Sequence, residues 1–310
     1  MNNTPATTSP ATLLSLDDIA AIELPILRRI NEITGGDHRS RAHGSGFDIV
    51  GLRDWQAGDR FAAIDWAQSS LNNFAPLMVR EFEQPGVAPV IAIADGSAST
   101  RCGIDGVPIA AIIARAIATL GLSASFFQDP FGLIVFDDGI RNLSALRARS
   151  GKHHVIHCVD AYQYRQNLQA VPRHGGFGAT LGGYLQRTTL LPFISDFLFD
   201  NTTEILRELA YLNARHDVFI VLIDSAFAFE LPEISAGWIT VADVETGRGQ
   251  TLSRNALKQM AEQIRRWQGQ VAKDARALGL DVVVMARDAA RTDIALGEFV
   301  AARRLRKPRD

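Results

Sequence analysis

From about residue 88 onward, short apolar segments alternate with longer segments whose apolar residues recur at helical spacing. The short segments predict strands at 90–94, 131–136, 190–194, 218–223 and 281–285. The longer ones predict helices at 109–122, 152–162, 203–215 and 256–278, and a further helix that begins at Thr180. Two shorter segments, 238–246 and 249–252, predict a hairpin around Gly247. Nearly continuous apolar strands that alternate with helices indicate an α/β fold, whose mostly parallel sheet is covered on both faces.

The pattern before residue 88 predicts a different kind of structure. Residues 1–12 are rich in Asn, Thr, Pro and Ala, and we expect them to form a flexible arm. Helical spacing over Leu13 to Ile33 predicts a helix, which Pro25 should kink or split. Between Phe47 and Glu83, short strand-like runs alternate with turns and indicate a small β-rich region.

These changes of pattern divide the chain into four parts. We predict a flexible arm (1–12), an N-terminal helix with the β-rich region (13–87), an α/β domain (88–295) and a basic tail (296–310).

Composition narrows the class of protein. Of the 310 residues, 47% are hydrophobic and 21% are charged, values typical of a soluble globular protein. The net charge of -2 lacks the basic excess of most nucleic-acid-binding proteins, and therefore argues against nucleic acid as a partner. We find neither an apolar signal core nor an apolar stretch long enough to span a membrane, and therefore expect a cytoplasmic protein that reaches membranes only through a partner.

Oxygen-bearing side chains follow the predicted strands at three places. They are Asp95, Ser97 and Ser99 after the strand 90–94, Thr180 at a helix start, and Ser195 and Asp196 after the strand 190–194. Ligands of such sheets bind beyond the carboxyl ends of the strands. Oxygen ligands suit Mg²⁺, or alternatively Mn²⁺ or Ca²⁺. We predict a metal site formed by Asp95, Ser97, Ser99, Thr180 and Asp196, although helix capping alone also favours such residues.

Two sets of residues resemble known families. The motif Asp95-x-Ser97-x-Ser99, with Thr180 and Ser195-Asp196, is similar to the metal-ion-dependent adhesion site of von Willebrand factor A domains. The upstream sequence, namely residues 46–59, Ile64-Asp65-Trp66 and Val79-Arg80-Glu81-Phe82-Glu83, resembles the signature of the family called domain of unknown function 58. The resemblance to both families runs from about residue 36 to about residue 200, and more loosely beyond.

This resemblance implies a three-layer von Willebrand factor A-like (Rossmann-like) domain behind the β-rich region. It also implies a non-enzymatic, metal-dependent adaptor that works with a MoxR-type AAA+ ATPase in chaperone-like assembly or maturation. A client protein would offer an Asp or Glu to the bound metal. The chain departs from the family pattern at Ala62, where relatives carry an arginine, and at Ser70-Leu71, where they carry Ala-Arg. We expect Phe197 to make the rim of the site more apolar.

Two other functions remain as alternatives. An Mg²⁺-dependent phosphotransferase of the haloacid dehalogenase type would use Asp95 as nucleophile, but its second aspartate is replaced by Ser97. A nucleic-acid-binding protein would use the basic residues of 303–309 and those near Arg28 and Arg39. We find no complete catalytic constellation and expect the chain not to be an enzyme.

Overall fold

The computed structural model describes residues 12–36, 48–56, 61, 64–83, 88–137, 140–230, 238–242 and 249–305. The chain forms two compact units. The larger unit contains the chain up to Asn31 and from Ala88 onward, and the smaller unit contains Glu32–Val87. The predicted flexible arm, 1–12, lies outside the described residues except for Thr12.

The chain begins with α1 (Leu16–Gly36), and the smaller unit then contributes β1 (Asp48–Asp54), α2 (Trp66–Leu71) and β2 (Met78–Glu83). The larger unit continues with β3 (Val90–Asp95), β4 (Gly103–Ile104), β5 (Val107–Pro108), α3 (Ile109–Phe126), β6 (Phe131–Asp137), β7 (Asn142–Arg149), α4 (Lys152–Tyr164), β8 (Gln169–Ala170), α5 (Phe177–Tyr184) and β9 (Leu190–Ser195). It ends with α6 (Thr202–Leu212), β10 (Asp217–Ile223), β11 (Trp238–Ala242), β12 (Gly249–Ser253), α7 (Arg254–Ala277), β13 (Asp281–Met285) and α8 (Ala289–Leu305).

The larger unit is built on a seven-stranded sheet in the order β13-β10-β9-β3-β6-β7-β8. The strands from β13 to β6 run parallel, and β7 and β8 extend the sheet by antiparallel pairing. The predicted α/β class with a mostly parallel sheet is therefore confirmed. The chain leaves β3 towards β6 and later returns to its other side as β9, so the carboxyl ends of β3 and β9 form a topological switch point.

Alternation along β3 shows that helices cover both faces of this sheet. Val90, Ala92 and Ala94 belong to a core cluster shared with α1, α3, α4 and α8. Ile91 and Ile93 belong to a second cluster shared with α5, α6 and α7. Successive strand residues point to opposite faces, so each face of the sheet carries its own core.

The helix α1 differs from its prediction in two respects. It continues through Pro25 as one helix, so the predicted split at this proline is not found. Ile19, Ile22, Ile26 and Ile30 are buried in the core of the larger unit. Because their spacing places them on one helical face, they pack α1 onto this unit. The sequence prediction had instead grouped this helix with the β-rich region as 13–87.

The boundary predicted at residue 295 also differs from the structure. The helix α8 spans it, and Leu296, Val300 and Ala301 are buried in the core. Arg304 donates to both carboxylate oxygens of the buried Asp129, at 2.7 and 3.1 Å. The part of the predicted basic tail up to Leu305 is therefore packed structure, and 306–310 lie outside the described residues.

The apolar character of α3 has a structural explanation. By length and composition this helix could cross a membrane, which the sequence prediction had missed. In the structure 78% of that segment is buried, against the sheet and neighbouring helices. A core helix of a globular domain meets the same test, so the cytoplasmic location stays a prediction.

The hairpin and the smaller unit each contain one antiparallel pair of strands. Strands β11 and β12 pair antiparallel, as predicted, although 243–248 lie outside the described residues. In the smaller unit β1 and β2 pair antiparallel. The carboxylate of Asp65 caps α2 by accepting from the backbone amides of Ala67 and Gln68, at 3.1 and 3.2 Å.

Candidate metal centre

Asp95 is the centre of a hydrogen-bond network at the carboxyl end of β3. Its side chain is buried, and its Oδ1 accepts from the Ser97 hydroxyl at 2.7 Å and from the Ser97 amide at 2.9 Å. The hydroxyls of Ser97 and Ser99 lie 3.0 Å apart. The short turn after β3 thus brings one carboxylate and two half-buried hydroxyls together, and their role as metal ligands stays a prediction.

Ser195 completes this network from the neighbouring strand. Its hydroxyl donates to Oδ2 of Asp95 at 2.8 Å, and it accepts from the amide of Phe197 at 3.0 Å. The sequence prediction left Ser195 out of the metal set. Strand register places it beside Asp95, because Ala94 pairs with Ile194 and the next residues along the two strands are Asp95 and Ser195. The sequence alone does not give this register.

Asp196 brings a second buried carboxylate to the same edge of the sheet. Its Oδ1 accepts from the amide of Leu198 at 3.2 Å. Burial, followed by repulsion from the charge of Asp95, raises the pKa of Asp196 to about 7. Burial also raises the pKa of Asp95, against the lowering effect of the Ser97 and Ser195 hydrogen bonds and of the Arg165 charge. The charge of Asp95 is therefore close enough to disfavour the charged form of Asp196.

Phe197 does not have the predicted place at the rim. It is fully buried, and its ring packs 5.3 Å from that of Phe193 in the core. Its φ of 58° is unusual for a residue that is not glycine. Hydrogen bonds with Ser195 and Trp267 hold this conformation. The conformation turns the chain sharply after Asp196 and sends the ring inward, so Phe197 is a core residue.

Thr180 lies in the first turn of α5 and is buried. Its hydroxyl donates to the carbonyl of Gly176 at 2.9 Å and accepts from the amide of His174 at 3.1 Å. Among the described residues, no hydrogen bond joins Thr180 to the network around Asp95. Thr180 therefore stays a predicted ligand, and one lone pair of its hydroxyl oxygen remains after these two bonds.

Tyr162 of α4 and Arg165, the C-cap residue of that helix, support the loop that follows β3. The buried Tyr162 hydroxyl donates to the carbonyl of Asp95 at 2.8 Å. Arg165 has a left-handed conformation at the end of α4 and donates from Nη2 to the carbonyl of Gly96. A side chain at position 96 would collide with this guanidinium, so glycine permits the close approach.

Two residues of α7 support the loop that follows β9. The buried Gln268 amide donates to the carbonyls of Asp196 and Ile223, at 3.0 and 2.8 Å. Trp267 donates from Nε1 to the carbonyl of Phe197 at 2.9 Å. Since buried carbonyls need a donor, these side chains fix the backbone that carries the Asp196 carboxylate.

The donor set fits a hard cation that keeps some of its water. Within the described ranges, no group of three or more His, Cys, Asp or Glu side chains could hold a metal ion. A metal here would therefore depend on hydroxyl and water oxygens besides the two carboxylates. Mg²⁺ accepts such oxygen ligands, and Zn²⁺ prefers nitrogen and sulfur.

Comparisons with known proteins give the family. A crystal structure of the conserved hypothetical protein BatB from Bacteroides thetaiotaomicron is similar at 14% identity and a TM-score of 0.39, covering 70% of this chain and 99% of that one. A crystal structure of an aerotolerance-related membrane protein from Bacteroides fragilis is similar at 12% identity and a TM-score of 0.39, covering 68% and 97%. No curated protein matches the chain. The family described as "Protein of unknown function DUF58", a description that names no reaction, matches residues 51–276, which is more than half of the chain, and the protein therefore belongs to the DUF58 family.

Proposed function

We propose that the larger unit is a von Willebrand factor A-like domain whose metal-ion-dependent adhesion site binds a partner protein. The protein would act by binding rather than by catalysis. The observation that carries this proposal is the pair of buried carboxylates, Asp95 and Asp196, at the switch point of the sheet. Burial, and after it repulsion from the charge of Asp95, raises the pKa of Asp196. A divalent cation between the strand ends would remove this repulsion.

The side chains divide into two roles around such an ion. Ser97, Ser99 and Thr180 would supply neutral hydroxyl oxygens directly to Mg²⁺, or to Mn²⁺ or Ca²⁺. Asp95 and Asp196 would hold water ligands and balance the charge. Neutral inner ligands leave the ion electron-poor, so an open position would favour a carboxylate from a partner. That acid would come from an Asp or Glu of a client protein.

The resemblance in sequence supports a working partner as well. Proteins of this kind are expected to act with a MoxR-type AAA+ ATPase as cytoplasmic adaptors in chaperone-like assembly or maturation. We find no Gly-rich phosphate loop of the P-loop type in the chain, so ATP hydrolysis would belong to that partner. The metal site would then couple the ATPase to a client.

The test is direct binding between the purified chain and the purified MoxR-type ATPase of the same organism, followed by client capture. Binding is measured with Mg²⁺ and with EDTA, for the native chain, for Asp95→Asn and for the control Asp274→Asn, whose carboxylate is exposed on α7. We expect EDTA and Asp95→Asn each to weaken client binding at least tenfold, and the control to leave it unchanged. Equal client binding under all conditions would refute the proposal.

A further inference from the structure

Arginines surround one side of the candidate metal centre. Asp95 and Asp196 are buried, so a docking partner meets little of their surface. The surface at this edge is formed in part by Arg101, Arg141, Arg165 and Arg173, which we name the arginine rim. Arg101 is half-buried and the other three are exposed.

Arg165 is the member of the rim that bonds the loop between Asp95 and Ser97. It donates to the carbonyl of Gly96, which stands between Asp95 and Ser97 in the chain. Its guanidinium lies 5.5 Å from the centre of the Tyr162 ring, and Tyr162 in turn donates to the carbonyl of Asp95. These contacts hold a positive charge beside the loop, and a guanidinium has five N–H donors, so most remain for a ligand.

The other three arginines extend the rim away from Arg165. Arg101 ends the short turn that carries Ser99 and donates to the carbonyl of Gln163 at 3.2 Å. Arg141 follows β6, the strand next to β3. Arg141 and Arg173 line one cleft together with Thr180, the predicted ligand from α5.

The charge at this edge is unequal on its two sides. Among the described residues, none of the four rim arginines forms an ion pair with a carboxylate. The nearby acids on their side are engaged, since Asp160 accepts from Gln163 at 2.9 Å and Asp137 has an interaction of its own. On the opposite side, Asp200 and Asp224 follow β9 and β10, and Arg287, which follows β13, is paired with Asp105 at 2.9 Å.

We propose that the site recognises an acidic segment with at least two carboxylates rather than a single acid. One carboxylate would complete the metal's coordination, and the next would pair with Arg165 and its neighbours on the β6 side. This inference rests on the proposed function and adds the chemistry of the partner. Arginine and carboxylate pair with two parallel hydrogen bonds, which gives the rim direction as well as charge.

The test uses two fluorescent ten-residue Gly/Ser peptides, one with a single central Glu and one with three consecutive Glu. Fluorescence anisotropy measures their dissociation constants in Mg²⁺ and in EDTA. The variants are Arg165→Ala and Arg165→Lys, and the control is Arg276→Ala. The side chain of Arg276 is exposed at the end of α7, just before the start of β13, and therefore lies near the amino ends of the strands rather than the carboxyl ends.

We expect the three-Glu peptide to bind at least tenfold more tightly than the one-Glu peptide in Mg²⁺. Arg165→Ala should remove most of this tenfold difference, because one charged hydrogen-bonded pair is worth about a factor of ten. Loss of its bond to the carbonyl of Gly96 would weaken both peptides alike and leave the ratio of their affinities unaffected. Arg165→Lys should recover part of the difference, and Arg276→Ala should change neither affinity.

The outcomes separate the two proposals. Equal affinity for both peptides, with Mg²⁺ required for each, would refute the role of the arginine rim and remain consistent with the metal site. Tight binding of the three-Glu peptide in EDTA, lost in Arg165→Ala, would support the rim and contradict the metal bridge. Failure of both peptides to bind at millimolar concentration would overturn the inference of an acidic partner. Tighter binding of inorganic phosphate than of the three-Glu peptide would also overturn it.

Discussion

The hydroxyl of Ser195 donates a hydrogen bond of 2.8 Å to Oδ2 of Asp95, joining two residues 100 positions apart in the chain. This bond connects the carboxyl ends of β3 and β9, the two strands at the switch point. Ser195 also accepts from the amide of Phe197. One buried hydroxyl therefore orients the Asp95 carboxylate and the loop that carries Asp196.

Ser195→Ala should damage both the fold and the site. The substitution leaves Oδ2 of Asp95 and the amide of Phe197 without this partner, at a cost of about 1–3 kcal/mol for each buried group left unsatisfied. We expect a lower denaturation midpoint in urea and weaker Mg²⁺ binding. Ser99→Ala is the control, since this half-buried hydroxyl should affect metal binding with little loss of stability. Wild-type stability of Ser195→Ala would contradict the structural role.

The metal-free protein should lose stability as the pH rises. The folded pKa of Asp196 is raised to about 7 by burial and by the Asp95 charge, and an unfolded Asp titrates near a pKa of about 3.9. The folded state thus holds the proton more firmly. Its stabilising effect is complete below about pH 4 and is lost as the pH rises towards 7, with a slope of up to about 1.4 kcal/mol per pH unit.

Urea unfolding in EDTA between pH 4 and pH 8 measures this dependence. Asp196→Asn should reduce the slope, because the amide does not titrate. Saturating Mg²⁺ should restore stability at pH 8, where the ion replaces the proton. A metal-free protein whose stability increased from pH 5 to pH 7, in the native chain but not in Asp196→Asn, would contradict the raised pKa.

Gln268→Leu should weaken the site through the backbone of Asp196. The substitution removes the amide that donates to the carbonyls of Asp196 and Ile223. We expect a loss of about 1–3 kcal/mol of folding free energy, with a drop of several degrees in Tm. The matched control is Gln270→Leu on the same helix, where the amide is exposed and bonds only Asp274. Differential scanning calorimetry should separate the two variants clearly.

A chain that ends at Ala295 should be strongly destabilised. It lacks Leu296 and Val300 from the core, and burial of such side chains contributes about 1.5–3 kcal/mol each. It also leaves the Asp129 carboxylate buried without Arg304, at a further cost of about 3–5 kcal/mol. A second chain that ends at Leu305 is the control and should unfold like the full chain. Equal stability of the two truncated chains in urea would refute the role of α8.

Much of the larger unit could be predicted because its strands are buried on both faces. Val90 to Ala94 forms a continuous apolar run, and the boundaries of such strands and of α7 came within a few residues of the structure. The strand β7 was missed because polar residues, among them two arginines, interrupt its apolar residues. The helix α8 was missed because its last turn is basic, and those arginines pair with acids distant in sequence.

The sequence indicated the local residues of the candidate site, and Asp196 because it follows a predicted strand, but not the supporting contacts from other elements. The spacing Asp95-x-Ser97-x-Ser99 places its members in one turn, and their contacts follow from that spacing. Ser195, Tyr162, Arg165 and Gln268 reach the same loops from other elements. Strand register and helix packing decide such contacts, and neither was available from the order of residues alone.

The most direct measurement of the central claim is a titration of the metal-free protein with Mn²⁺, followed by the electron paramagnetic resonance signal of the free ion, with Mg²⁺ as competitor. We predict one Mn²⁺-binding site, from which Mg²⁺ displaces the Mn²⁺. Asp95→Asn should weaken Mn²⁺ binding at least tenfold, and Asp274→Asn should bind Mn²⁺ as the native chain does. A native chain without a Mn²⁺ site, or an Asp95→Asn variant that binds Mn²⁺ equally well, would contradict the account.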